Sequence, residues 1–123
     1  MDIVINNFSE TPIYQQMYEQ ISAQIMKGEL KSDDSLPPIR TVAKEMRVSV
    51  ITVKKAWEEL ERNGFIYTMV GRGCFIAPLQ EKELDLKKDE LVKERLKKDM
   101  EYYKSLGIRY EELIEVIKDC YQL

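Results

Sequence analysis

A chain of 123 residues, 44% apolar and 33% charged, can build one small domain plus an extra element, and its composition excludes an unstructured polymer. It has no histidine and only two cysteines, Cys74 and Cys120, in unrelated contexts, and no Gly-rich phosphate loop, so neither an enzyme nor a metal or cofactor site is expected. The net charge of −3 argues against indiscriminate coating of nucleic acid, and no apolar run approaches the ~20 residues of a membrane span.

In chain order, Ile3 and Ile5 alternate within Met1 to Asn7, a weak strand signal. Thr11 is a candidate N-cap, and Pro12 suits the first helical position. Tyr14, Met17, Tyr18, Ile21 and Ile25 then recur at helical spacing, with Gly28 as the expected C-cap. "ELKSDDSLPP" is polar and ends in two prolines, which predicts a loop. A second helix is predicted from about Ile39 to Met46, burying Ile39, Val42, Ala43 and Met46. Arg47-Val48 is a tight connection. Ser49 caps a third helix that runs to about Arg62 and buries Val53, Ala56, Trp57 and Leu60. Two short helices joined by such a turn form a helix-turn-helix.

The period then changes. "FIYTM" and "CFIAP" are β-rich, and "VGRG" between them is a turn, so a hairpin follows the helices and Pro78 closes it. Beyond it, Val92, Leu96, Met100 and Tyr103 share one helical face. Gly107 breaks that helix, and Tyr110, Leu113, Ile114, Ile117 and Tyr121 share the face of another. No heptad is sustained, and two helices alone cannot bury both faces, so they must pack on the first domain, on a second copy, or on both. The predicted fold is mainly α with a small β-hairpin. A winged helix-turn-helix domain spans residues 1–78, and a two-helix dimerisation tail spans 79–123. Its predicted dimer contacts are Val92, Leu96, Met100, Tyr103, Leu113, Ile114, Ile117 and Tyr121.

The segment "LPPIRTVAKEMRVSVITVKKAWEELERNGFIYTMVGRGCFIA", Leu36 to Ala77, resembles the DNA-binding domain of the GntR family of bacterial transcription regulators. The resemblance rests on the order and spacing of Leu36-Pro37, Arg40, Val42-Ala43, Val48-Ser49, Thr52-Val53, Ala56, Leu60, Gly64 and Gly71-Arg72-Gly73 before Phe75. The opening "PIYQQM" and the short tail resemble the YtrA-like subfamily. The resemblance implies a homodimer that binds double-stranded operator DNA at an inverted repeat, usually as a repressor, and for this subfamily beside transporter operons; the two unrelated cysteines make a reduced, cytoplasmic protein the simpler expectation. Some positions depart from the pattern. Pro38 stands where a serine commonly caps the second helix, Val50 and Ile51 stand where arginine or another polar residue is common, and Arg109-Tyr110 replaces a better helix start.

Charge supports a DNA-facing segment. From Leu36 to Trp57, Arg40, Lys44, Arg47, Lys54 and Lys55 face Glu45 alone, a local net of +4. The candidate DNA-binding residues are Arg40, Ser49, Val50, Ile51, Thr52, Lys54, Lys55, Gly71, Arg72 and Gly73. Arg40 can fork to a phosphate or to guanine; the alternative is a surface ion pair with Asp33 or Asp34. Ser49 is first a helix cap, and a helix start also favours a phosphate. Thr52 either supports the cap or meets a phosphate. Lys54 and Lys55 point about 100° apart, with Lys54 the better match to a groove-facing position and Lys55 directed at the backbone. Val50 and Ile51 suit thymine methyl groups. Arg72, between Gly71 and Gly73, can enter a narrow minor groove. Two alternatives remain: a winged-helix protein-interaction module, or a sensor whose main event is binding a small-molecule effector.

Overall fold

The computed structural model describes residues 1–122, which form two compact units, Met1–Glu81 and the segment from Lys82 onward. The first unit holds three helices, α1 (Ile13–Met26), α2 (Ile39–Met46) and α3 (Val50–Arg62), then a two-stranded antiparallel hairpin, β1 (Ile66–Met69) and β2 (Gly73–Ile76). Its core is one apolar cluster. Met17, Ile21 and Ile25 come from α1, Val42 and Ala43 from α2, Val53, Ala56, Trp57 and Leu60 from α3, and Phe65, Ile66 and Ile76 from the hairpin region. The helical spacing read in the sequence delivers those faces. Ile39 and Met46 are only half-buried.

Three local features differ from the sequence expectation. Pro12, with ψ of 147°, sits outside α1 as its N-cap, so the helix starts at Ile13; no side chain caps it. Its far end is capped by Lys27, and Gly28 follows in the left-handed region at φ 78°. Residues 1–7 form no strand. They run extended beside α1, with Ile3 and Ile5 turned inward and Val4 outward, and are held by glutamine side chains. Gln24 Nε2 donates to the Asp2 carbonyl, Gln20 pairs with both main-chain groups of Val4, and Gln16 pairs with both of Asn6. Four helical residues rise ~6 Å and two extended residues ~6.6 Å, so glutamines four apart keep step with alternate residues of the arm.

The predicted loop before α2 also joins the sheet. Ser35 bridges Phe75 in antiparallel sense, Leu36 N–H donates to the Cys74 carbonyl at 2.9 Å, and Asp33 and Asp34 exchange main-chain bonds with Ile76, both at 2.8 Å. These pairings are between main-chain atoms, so no side-chain pattern announces them. Tyr67 stacks on Phe75, with ring centroids 5.5 Å apart, and donates its hydroxyl to Asp33 Oδ1 at 2.7 Å.

In the second unit, α4 (which starts at Glu81 and ends at Ser105) and α5 (Tyr110–Tyr121) flank Gly107, whose φ of 78° ends the first. Neither helix buries a residue. Arg109 N-caps α5 without a side-chain cap bond, and its guanidinium pairs with Glu112 instead. A cavity of about 260 Å³ is lined by Leu96, Tyr103, Leu113, Ile117 and Tyr121, together with Asp99, Ile108, Val116 and Cys120. Val92, Met100 and Ile114, predicted to share these faces, do not line it.

Candidate nucleic-acid interface

Helix α3 is fixed at its start by Ser49. The Ser49 hydroxyl oxygen accepts from the Thr52 N–H at 3.0 Å and lies 2.7 Å from the Thr52 hydroxyl. That pair satisfies one of the orphan donors of the first turn. Val53, Ala56, Trp57 and Leu60 turn into the core, so the opposite face is set by the helical period of about 100° per residue. Ile51 and Lys55 lie near the middle of that face, and Val50 and Lys54 along one flank of it, each pair one turn apart. Ile51 is 77% exposed and Val50 38%, so both departures from the usual pattern are presented to solvent rather than taken into the core.

Arg40 lies in the first turn of α2 and is exposed. The ion-pair alternative does not hold among the described residues. Asp33 accepts from Tyr67 and from Ser32, while an Asp34 carboxylate oxygen accepts the Lys31 N–H. Arg40, Lys44, Arg47, Lys54 and Arg72 are all exposed and, among the described residues, make no ion pair. Elsewhere Arg62, Lys93, Arg109 and Lys118 each pair with an acid three or four positions away. The unpaired cations keep their full charge for an external anion.

The wing tip is the three-residue loop Val70-Gly71-Arg72 between strands registered Met69↔Gly73 and Thr68↔Cys74. The Arg72 N–H donates to the Met69 carbonyl at 2.9 Å. Gly71 and Gly73 have φ of 78° and 102°, and a Cβ at either would meet no atom within 4 Å. Glycine is there for the backbone angle, and the flanks of the arginine stay open for close approach.

Two features escaped the sequence reading. Arg47 closes α2 in the left-handed region at φ 56°, ψ 46°, a conformation that costs most residues ~1–2 kcal/mol. It puts an exposed guanidinium in the turn between the two helices. Its position two residues before a serine cap was the available signal. The other is the aromatic contact of Lys55, whose Nζ stands 4.0 Å from the centre of the Tyr14 ring on α1.

The model for "Bacterial regulatory proteins, gntR family" matches residues 13–76, from the first turn of α1 to the end of the wing. The chain belongs to the GntR family. It is 38% identical over 117 residues to the HTH-type transcriptional repressor YtrA of Bacillus subtilis, covering 95% of this chain and 90% of that one. A crystal structure of a transcriptional antiterminator from Listeria monocytogenes EGD-e matches all of this GntR-family chain and 91% of its own, with a TM-score of 0.77 and 35% identity. The DNA-binding domain of AraR in complex with operator ORX1 matches 63% of this chain and 96% of its own, with a TM-score of 0.55 and 30% identity. This GntR-family member is therefore a winged-helix, DNA-binding transcription regulator of the YtrA-like type, and not an enzyme. No helix among its described residues is long and apolar enough to cross a membrane.

Proposed function

We propose that this regulator is a cytoplasmic homodimeric repressor that binds an inverted-repeat operator, and that the operator controls a transporter operon. The observation that carries the DNA-facing side is the set of exposed, unpaired cations, Arg40, Lys54 and Arg72, on the three parts of a winged helix that meet a duplex. In this reading α3 enters the major groove. Ser49 and Thr52 approach a phosphate at its start, Val50 and Ile51 touch thymine methyls, Lys54 reaches the groove and Lys55 the backbone. Arg40 meets a phosphate or guanine, and Gly71-Arg72-Gly73 follows the minor groove. Repression and the transporter operon rest on the similarity to YtrA and on the subfamily; finding a transporter operon beside this gene would support the second.

Selection of bound sequences from a random duplex pool tests the operator. The expected outcome is a two-fold site whose halves lie ~10 bp apart or a multiple of it. Failure to enrich any site would favour a protein-interaction module instead.

Dimerisation is proposed through the apolar faces of α4 and α5, where Val92, Leu96 and Tyr121 are exposed and Met100, Tyr103, Leu113, Ile114 and Ile117 half-buried. Leu113→Asp with Ile117→Asp in the full chain should give a monomer by light scattering and bind the selected site far more weakly. A double variant that stays dimeric overturns this assignment. The 260 Å³ cavity favours one further reading, a small apolar effector seated between α4 and α5. A thermal-shift screen checks it, because a ligand of the native state raises stability by mass action.

A further inference from the structure

The Lys55 ammonium has an acid within reach along its own helix, yet it does not use it. Glu59, one turn on, pairs with Arg62. Lys55 instead leaves the α3 surface toward α1 and comes to rest over the Tyr14 ring, 4.0 Å from its centre. Tyr14 is half-buried in the first turn of a helix whose next turns supply Met17 and Ile21 to the core, so the ring is held by packing while the lysine is exposed. The two partners differ in what they do to the charge. A carboxylate would pin the ammonium and cancel it. An aromatic face pins it through the ring quadrupole and adds no opposite charge. Lys55 therefore stays a full cation while losing much of the rotamer freedom of an unattached lysine.

We propose that Tyr14 is a positioning residue for DNA binding: it preorganises Lys55 for a backbone phosphate, which brings α1 into a contact otherwise made by α2, α3 and the wing. This rests on the proposed phosphate contact of Lys55, and the two are separable by experiment. The probe is a mixed-sequence duplex of ~30 bp, about three helical turns, titrated with the full chain at several salt concentrations.

Lys55→Met should weaken binding and lower the salt slope by about one phosphate. Tyr14→Leu should weaken binding about two- to five-fold, the range of an exposed cation–π contact, whereas Tyr14→Phe, which keeps the ring, should bind as the wild type does. The double variant should bind no more weakly than Lys55→Met alone. In the wild type and Tyr14→Phe, the ring current should shift the Lys55 ε-methylene protons upfield in NMR spectra, and Tyr14→Leu should abolish that shift. Should Lys55→Met bind unchanged, the phosphate contact itself falls, and the inference with it. Should Lys55→Met weaken binding while Tyr14→Leu binds normally or adds its full effect to it, the contact stands and the positioning role of Tyr14 is overturned. If Tyr14→Leu does not fold, loss of binding in Tyr14→Phe with the upfield shift intact overturns the role equally.

Discussion

Val4 and Gln20, sixteen residues apart in sequence, are joined by two hydrogen bonds. The Val4 N–H donates to Gln20 Oε1 at 2.8 Å, and Gln20 Nε2 donates to the Val4 carbonyl at 2.7 Å. The side-chain amide thus does for Val4 what a neighbouring strand's peptide group would do. Gln16 does the same for Asn6 and also donates to the Thr11 carbonyl at 2.8 Å. A helix face takes the place of a sheet edge.

Burial separates the two glutamines energetically. Gln16 is 9% exposed, and its amide serves three main-chain groups. Gln16→Ala should cost about 2–3 kcal/mol, since three part-buried hydrogen bonds to Asn6 and Thr11 are lost together. Gln20→Ala, at an exposed pair, should cost under about 1 kcal/mol. Urea unfolding measures both; equal losses would show that burial does not rank them.

The arm was only half legible in the sequence. The Ile3/Ile5 alternation gave its extended form and its inward side. Its partner was hidden, because glutamines at 16, 20 and 24 on an amphipathic helix look like a solvated stripe. The helix-turn-helix was legible to the residue, since α2 and α3 rest on local signals: apolar spacing, the Ser49 cap and the prolines before Ile39. For the candidate site, sequence indicated which cations are near α3 and the wing. It did not indicate which would lack partners, because that depends on where Asp33, Asp34 and Glu59 are engaged.

Arg47 couples two opposite effects. Arg47→Gly removes a side chain from a left-handed backbone and should raise stability by about 1 kcal/mol, seen as a higher urea midpoint. The same change removes an exposed charge from the turn before α3 and should weaken duplex binding. A variant that gains stability and keeps its affinity would place Arg47 away from the DNA.

Arg72→Ala tests the wing. With open flanks and no ion pair among the described residues, Arg72 should account for about one phosphate in the salt dependence. Filter-binding or anisotropy at several salt concentrations reads the slope, and an unchanged slope would remove Arg72 from the phosphate contacts.

Tyr67 predicts a response at high pH. Its hydrogen bond to Asp33, followed by burial and the Asp33 charge, raises its pKa above the ordinary 10.0. The folded state then holds the phenolic proton more tightly than the unfolded chain. The stabilisation is fully present below pH ~10 and is lost as pH rises through the raised value. Urea midpoints for wild type and Tyr67→Phe should therefore converge as pH rises through this window. Ultraviolet titration should also lose one tyrosine that ionises above the ordinary 10.0 in the variant.

The stitching of residues 33–36 to β2 has a consequence for descent. Ser35 and Leu36 meet the wing through main-chain atoms and lead directly into the two prolines before α2. A single inserted or deleted residue there would shift every stitch, and with them the placement of the helix that carries Arg40.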